Sequence, residues 1–451
     1  MAESSTQAAL GRDPPAPRPP IDWEAPEFLD ASAFDDELRR VANVCHTCRR
    51  CEDLCESFPR LFDLIDRAGS VETVKSADFE SVGAACTLCD MCYPVCPYAP
   101  PHVHAVDFPA LMMRQRSHAL RDGKVGSIER ALGSTDRNGR LLGAIAPLAN
   151  WAAHRGNRLT RLLMEALAGI HRDAVLPRFH ARRFSRQAAA SGHRVDTNAP
   201  AAGRKAVLYA TCFVEFNNPG IGRAAQGVLA KNGVETKVVY DACCGMPQLE
   251  RGDIGEVCRR ARRVAASLVP WIDRGWDVIA PVPSCALMLK TLWPLHLPED
   301  RAVARLAERT SDVSEYIVGI ARDVGLADGM EPLDGDVALH QACHARAQNV
   351  GAKSAVMLRM IPKCNVMMMQ RCAGHGGTWG VMKGNFETGM KVGEPVVRQV
   401  AESGRAYLAS ECPLAGDHIV QGMERLGAGH NHARRAHHPI ELLAKSYGID
   451  A

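Results

Sequence analysis

Eight of the seventeen cysteines in this chain of 451 residues fall within fifty-two positions. They read Cys45-His-Thr-Cys48-Arg-Arg-Cys51-Glu-Asp-Leu-Cys55 and, thirty residues on, Cys86-Thr-Leu-Cys89-Asp-Met-Cys92-Tyr-Pro-Val-Cys96-Pro97. Each half has the spacing C-x2-C-x2-C-x3-C. That spacing lets three thiolates close over one face of an iron-sulfur cube while the fourth reaches out to a second cube. Two four-iron four-sulfur clusters are therefore expected.

A disulfide framework and a pair of zinc knuckles are the alternatives. Disulfides suit short secreted chains, whereas this one is long and opens Met1-Ala-Glu-Ser-Ser-Thr, without a charged and then apolar leader. Seventeen cysteines without such a leader point to a reducing compartment, so a cytoplasmic location is expected. Zinc sites use separated C-x2-C pairs and have no need of a third cysteine at the same interval or of a following Pro. The double motif, with Pro97 after its last cysteine, resembles a two-cluster bacterial ferredoxin module, and Glu56 stands where the first copy would carry Pro. Between the motifs, Phe58-Pro-Arg-Leu-Phe-Asp-Leu-Ile has apolar residues at three and four spacing and no alternation. This is similar to the all-helical ferredoxin domain of heterodisulfide-reductase-type electron carriers.

The formal charge of +3 gives no reason to expect nucleic acid as a partner. No run approaches eighteen uninterrupted apolar residues; the longest candidate, Leu141 to Ala153, holds Pro147 and Asn150. A multidomain architecture follows from the length and the shifts in pattern. Residues 1–22 are polar and Pro-rich and read as a disordered lead. Residues 23–113 form the helical ferredoxin-like domain, with a helix starting near Ser32 as its cap. Residues 114–204 are an amphipathic helical linker in which Arg155, Arg158, Arg161, Arg172, Arg178, Arg182, Arg183 and Arg186 are matched by only two acids between positions 154 and 194, Glu165 and Asp173. Such a stretch either clasps the flanking domains or rests on an anionic membrane face or a partner protein.

From Lys205 strands and helices alternate, which implies a parallel sheet with crossover helices. Strands are expected at Ala206–Cys212, Thr236–Asp241 and near Val278, then again at Val337–His340, Asn365–Met369 and near Tyr407. This is an internal repeat, with one half over 205–330 and the other over 331–451. Each half carries its own cysteines after its strands: Cys212, Cys243-Cys244-Gly245 and Cys285, then Cys343, Cys372-Ala373-Gly374 and Cys412. The intervals are 31 and 42 residues in the first half, 29 and 40 in the second. Loops beyond the carboxyl ends of parallel strands converge on one edge, so these seven thiols are expected around one or two sites.

These residues resemble the cysteine-rich CCG domain, which occurs twice in the B component of heterodisulfide reductase, in the C component of anaerobic glycerol-3-phosphate dehydrogenase and in the iron-sulfur component of glycolate oxidase. The family pattern has a fifth ligand in a C-x2-C ending each half; here Met288 and Ala415 stand at those places, and Ala373 replaces one member of the second double cysteine. The resemblance implies a further iron-sulfur cluster, or zinc, on Cys212, Cys243, Cys244 and Cys285. Cys343, Cys372 and Cys412 would need help from His340, His344, His375 or an outside ligand, and metal there stays an open question. Cys258 and Cys364 read as core, Met367-Met-Met369 as a buried strand, and the run His430, His432, His437, His438 as solvated. Gly220-Ile-Gly222 and Gly374-His-Gly-Gly377 lack dinucleotide spacing, so no nicotinamide or flavin site is expected.

The resemblance implies an electron-transfer subunit of a redox complex, relaying electrons between a partner flavoprotein dehydrogenase and a quinone or a thiol-disulfide couple; peripheral contact at the inner face of a membrane is the second reading of the basic amphipathic linker. An autonomous reductase of disulfides or peroxides would use the same ligands, and a redox or metal sensor with structural metal is the reading from another class. Catalytic residues as such are not identifiable from the sequence.

Overall fold

The computed structural model describes residues 18–190, 193–428 and 435–450. Helix α1 (Ala31–Cys48) is capped by Asp30, whose carboxylate accepts the Ala33 N–H at 2.7 Å, and Ser32 lies inside the helix. It runs through the first two cysteines and ends with Arg49 in the left-handed region. α2 (Ser57–Ala68) begins two residues after Cys55 and buries Phe58, Leu61, Phe62 and Ile65, an i, i+3, i+4, i+7 stripe. α3 (Glu80–Ala85) delivers Cys86 at its end, and α4 (Phe108–Arg121) closes the module. Among the described residues before position 205 there is no strand, as expected of this domain.

Residues 18–22 are built into the fold. The Arg18 guanidinium, nearly buried, pairs with Asp107 at 2.6 Å and Asp90 at 3.0 Å. Ile21 N–H donates to the Leu295 carbonyl and the Trp23 indole to that of His296, which ties this segment to the first repeat. Residues 1–17 of the expected disordered lead lie outside the described residues.

Five short helices form the connector: α5 (Ser127–Leu132), α6 (Thr135–Ala144), α7 (Ala146–Ala153), α8 (Arg158–Ala168) and α9 (Phe184–Ala190). They touch both repeats. Gly139 lies so close under Phe216 of the first repeat that no side chain fits there. Gly169 accepts the Lys383 N–H at 2.7 Å, and His171 N–H reaches the Val381 carbonyl at 2.9 Å in the second.

The repeats form two four-stranded sheets, parallel throughout. In the first, β1 (Lys205–Tyr209), β2 (Glu235–Val239), β3 (Asp277–Ala280) and β4 (Thr310–Asp312) lie in the order β2-β1-β3-β4. In the second, β5 (Val337–His340), β6 (Val366–Met369), β7 (Tyr407–Ser410) and β8 (Ala436–His437) lie in the order β6-β5-β7-β8. Central β1 pairs Val207 with both Lys237 and Val278, and central β5 pairs Ala338 with both Met367 and Leu408. The sequence pattern predicts three strands per half; the fourth strands hold three and two residues, too few to show a period.

One apolar core joins the ferredoxin-like helices to the first repeat, with Phe58, Phe62 and Met112 in the same cluster as Val264, Leu268 and Trp293. A second joins the two sheets through Leu208, Ile279, Leu339 and Ala409. Cys258 is buried in the first core, and Cys364 packs against the second. Two histidines of the terminal run are not a solvated tail. His437 sits on β8, and His438 is buried as the cap of helix Pro439–Ser446, its Nδ1 accepting the Ile440 N–H at 3.3 Å. His430 and His432 lie outside the described residues.

Candidate metal centres

All seventeen cysteines are free thiols, so the donors are available. In the ferredoxin-like domain they sort into two sets that cross the motifs. Burial raises the Cys45 thiol first, and the thiols that reinforce it are Cys96, Cys51 and Cys48. Burial likewise raises Cys55, reinforced by Cys89 and Cys86, and raises Cys92, reinforced by Cys89, Cys86 and Cys55. Each set thus takes three cysteines from one motif and the last cysteine of the other. This exchange is the geometry that the spacing demands of a two-cluster module. Burial also lifts Cys51 and Cys86 to about 11 each. Such thiols stay protonated unless a cation is bound, so their thiolate form is coupled to occupancy.

In the first repeat the four cysteines converge at the carboxyl end of the sheet. Cys212 opens a helical turn three residues beyond β1, Cys243-Cys244-Gly245 follow β2, and Cys285 lies in the helical turn after β3. The Cys212 and Cys243 sulfurs are 3.6 Å apart, and those of Cys244 and Cys285 are 3.2 Å apart. Gly245 takes φ +89, a left-handed conformation that opens the turn after the double cysteine. Cys243 is held low, with its contact to Cys212 the first cause, then that to Cys244, then Thr135 and the Gly245 N–H. Cys212 and Cys244 are raised, chiefly by their contacts with Cys243.

The backbone around this site is tied down from outside the repeat as well as within it. The Tyr209 hydroxyl donates to the Ala242 carbonyl at 2.7 Å and the Trp293 indole to that of Cys244 at 3.0 Å, both buried. Asp136 of α6 accepts the Cys243 N–H at 3.0 Å, accepts the Tyr240 hydroxyl and pairs with Arg260. Thr135 and Asp136 reach the cysteines from a linker far away in sequence, and no local pattern marks them. Beside the site lies a cavity of about 530 Å³ lined by Arg137, Arg140, Arg259, Arg260 and Arg263, together with Asp136, Asp241 and Glu256.

The second repeat is arranged differently. Cys343 is within hydrogen-bond reach of Cys372, and also of Cys89 from the ferredoxin-like domain. Cys372 is lowered to about 7, with Cys343 the largest cause. Cys412 caps helix Pro413–Arg425; burial lifts it to about 11, and its nearest influences are backbone N–H groups and acids, not thiols. Gly374 mirrors Gly245 with φ +77. Buried Met288, Ala415 and Ala373 fill the positions where the fuller pattern would place sulfur.

The three candidate histidines are all kept neutral by burial, with His340 pushed down to about 4 and His375 to about 3. Both ring nitrogens of His340 are engaged, by the Ser410 hydroxyl at 3.0 Å and the Arg371 carbonyl at 3.2 Å. His344 bridges three modules: Ser284 beside Cys285 at 2.8 Å, and the Leu88 carbonyl beside Cys89 at 3.4 Å. His375 uses Nδ1 to accept the Gly377 N–H at 3.1 Å and meets His418 edge-on, where the His418 Nε2 is buried without a partner among the described residues. No sequence pattern marks that imidazole pair, because His418 lies in a helix with no metal spacing around it.

Among the described residues no group of three or more His, Cys, Asp or Glu side chains is posed to hold a metal ion as it stands. Four thiolates around one tetrahedral ion stand about 3.8 Å apart, so the spacing in the first repeat would open slightly around zinc and further around a cube. The donor sets themselves fit: sulfur only, four per set in three places, buried or half-buried, with backbone N–H groups aimed at several of them.

Comparison with known families agrees with this partition. The Fer4-like domain of citrate utilization protein B matches residues 38–121, and the cysteine-rich CCG domain matches twice, over 206–290 and 337–415. The C component of anaerobic glycerol-3-phosphate dehydrogenase from Escherichia coli (strain K12) is 25% identical over 339 residues, covering 74% of this chain and 80% of the relative. The B component of fumarate reductase (CoM/CoB) from Methanothermobacter marburgensis is 26% identical over 254 residues, covering 55% and 47%. Lactate utilization protein A from Bacillus pumilus is 27% identical over 215 residues, covering 45% and 85%. The chain belongs with the oxidoreductase proteins that join a Fer4-like cysteine domain to two CCG cysteine-rich domains.

Proposed function

We propose that this chain is the iron-sulfur electron-transfer subunit of a redox complex. Two 4Fe-4S clusters would be held in the ferredoxin-like domain, one by Cys45, Cys48, Cys51 and Cys96 and the other by Cys55, Cys86, Cys89 and Cys92. A third metal centre would be held by Cys212, Cys243, Cys244 and Cys285. When bound, such clusters supply one-electron transfer. The observation that carries the reading is the contact of Cys89 with Cys343, which joins the ferredoxin-like domain directly to the CCG pair.

The chain's own residues keep that junction rigid. His344 holds the loops of Cys285 and Cys89 together, and Arg116 donates to the Cys86 carbonyl and, at 2.5 Å, to that of Glu250. Burial of the thiols excludes water and sets the local dielectric, which tunes potential. No flavin or nicotinamide fingerprint occurs in the sequence, so the two-electron donor is assigned to a separate flavoprotein dehydrogenase, and a quinone or a thiol-disulfide couple to the accepting end. The likeness to dehydrogenase and reductase components supports this assignment. Cytoplasmic placement, peripheral on the inner face of a membrane, suits such a partner pair, and among the described residues no helix is long and apolar enough to cross a membrane. The arginine-lined cavity beside the first CCG site favours a second reading, reduction of a small anionic disulfide or peroxide by this chain itself.

Iron, sulfide and zinc per chain on anaerobically purified protein, with electron paramagnetic resonance on stepwise reduction, test the first reading. About twelve irons and two interacting reduced clusters are expected. About eight irons with stoichiometric zinc would end the relay at the ferredoxin-like domain, and turnover of a disulfide without a dehydrogenase would replace the first reading by the second.

A further inference from the structure

Helix α8 of the connector turns one arginine inward and its leucines outward. Arg161 of α8 is buried, donating to the carbonyls of His171, Arg172 and Ala174 at 2.7 to 2.9 Å. That inward anchor turns the apolar side of α8 to solvent: Leu159 is 70% and Leu167 72% exposed, with Leu162 and Leu163 exposed between them. Helices α6 and α7, packed in sequence against α8, do the same. Leu141 is 61%, Leu148 59% and Trp151 59% exposed, and Ile145 lies at their junction. Eight large apolar side chains within 27 positions, all turned outward, are far beyond the scattered single exposures that a soluble surface carries.

The charge of the same stretch selects its occupant. Residues 127–190 hold eleven arginines and four acids, a formal +7, whereas the whole chain carries +3. Exposed Arg137, Arg140, Arg158, Arg182 and Arg186 make no ion pair among the described residues. A protein interface would need matching carboxylates on an unknown partner. A face of short in-plane helices with leucines, one Trp and flanking unpaired arginines fits the headgroup region of an anionic bilayer directly. We infer that α6, α7 and α8 dock this chain on the surface of a membrane rich in anionic lipid. The inference deepens the proposed function, and it rests on the membrane contact in that reading.

The docking face also orients the redox site. Helix α6 carries Asp136, bonded to the Cys243 N–H, near one end and exposed Leu141 a turn and a half later. Leu141 lines the arginine cavity together with Ala242, the residue before Cys243. Seating α6 on lipid therefore places that cavity, and the first CCG site behind it, at the bilayer surface, where a lipid-soluble carrier would meet it.

The test is flotation of the full-length, anaerobically purified protein with vesicles of phosphatidylcholine alone or with about 30% phosphatidylglycerol, at low and high salt. Binding to the anionic vesicles is expected, weakened at high salt. L159S/L163S/L167S, all at exposed positions, is expected to lower partitioning at least tenfold with an unchanged melting temperature. Arg137→Gln and Arg158→Gln are each expected to lower it about fivefold. Flotation that ignores these variants, or absent with both vesicles, overturns the inference, as does a face found instead to mediate self-association that L159S/L163S/L167S disperses. Cluster content and reduction of a soluble dye, read on the same sample, keep the two failures apart. Absence of flotation by the unaltered protein with intact reduction refutes the docking face alone, whereas absent clusters refute the proposed function.

Discussion

Asp136→Ala removes a side chain through which the connector grips the backbone of the four-cysteine site. Its carboxylate accepts from the Cys243 N–H and the Tyr240 hydroxyl and pairs with Arg260, with both partners of that ion pair 17% exposed. Breaking a buried ion pair costs about 3–5 kcal/mol when the surviving charge is left uncompensated. Here Arg260 keeps Glu256 at 2.7 Å, which moves the cost to the lower end. The orphaned Cys243 N–H and Tyr240 hydroxyl raise it again, by roughly 1 kcal/mol each at most when water reaches them. A net loss of roughly 4 kcal/mol follows, a fall of about 8–16 °C in melting temperature for a cooperative unit of this repeat's size. Because Asp136 holds the Cys243 backbone in place, metal in the first CCG half should fall with it, while the ferredoxin-type signals persist. Asp136→Asn keeps an oxygen for the Cys243 N–H and should lose about half as much. Thermal unfolding by circular dichroism, with iron, zinc and paramagnetic resonance on each variant, reads both effects. If Asp136→Ala melts within about a degree of the parent and keeps its third metal centre, the grip assigned to α6 is wrong.

Three other outcomes follow from the same geometry. Cys55→Ser should abolish the paramagnetic signal of the set containing Cys86, Cys89 and Cys92, although Cys55 belongs to the first motif; loss of the Cys45 set instead would show that the motifs do not exchange their last cysteines. Gly374→Ala places a methyl group on the Gly389 carbonyl at a φ of +77, and should cost roughly 3 kcal/mol or more, seen as a lower melting temperature and loss of any metal in the second half. Glu250 is half-buried and raised from 4.5 to about 7, first by burial and against the pull of Arg116 and Arg251. Its folded form therefore holds its proton more tightly than the unfolded form, so stability falls as pH rises through the window from 4.5 to 7. The full effect is at most about 3 kcal/mol, partial exposure halves it, and roughly 1 kcal/mol remains between about pH 5.5 and 8; Glu250→Gln should flatten that slope in pH-dependent unfolding curves.

What the sequence disclosed, and what it hid, follows from the range of the interactions. Cysteine spacing is local, and it leads to a helical module; in the structure the fourth cysteine of each motif lies against the other set. The six longer strands, β1 to β3 and β5 to β7, were legible because each is a short apolar or β-branched run bounded by turns. β4 and β8 were not, since Thr310–Asp312 and Ala436–His437 owe their extended form to the neighbours they pair with. Asp30 and Ser32 are both good caps two positions apart, and only the tertiary course of the chain chooses between them. Thr135, Asp136 and His418 carry no motif at all; they matter because folding brings them to a sulfur or an imidazole far along the chain.

The second repeat shows most clearly why ligand counting alone falls short. By sequence it is the poorer half, with Ala373 and Ala415 where sulfur would stand, and the natural response is to look for histidines nearby. The fold spends two of those histidines elsewhere. His340 is held between Ser410 and a carbonyl, and His344 is committed to Ser284 and Leu88. What approaches Cys343 is Cys89, from a module at the other end of the chain, with Cys372 close by. A half that has lost sulfur from its own repeat has its remaining pair set against a cysteine of the ferredoxin-like domain. That contact makes the poorer half the junction between the two modules. It follows that Cys343→Ser should leave the four-cysteine site of the first repeat intact while altering the spectrum of the set that contains Cys89. An unchanged spectrum would mean that the contact joins the modules mechanically and carries no electronic coupling.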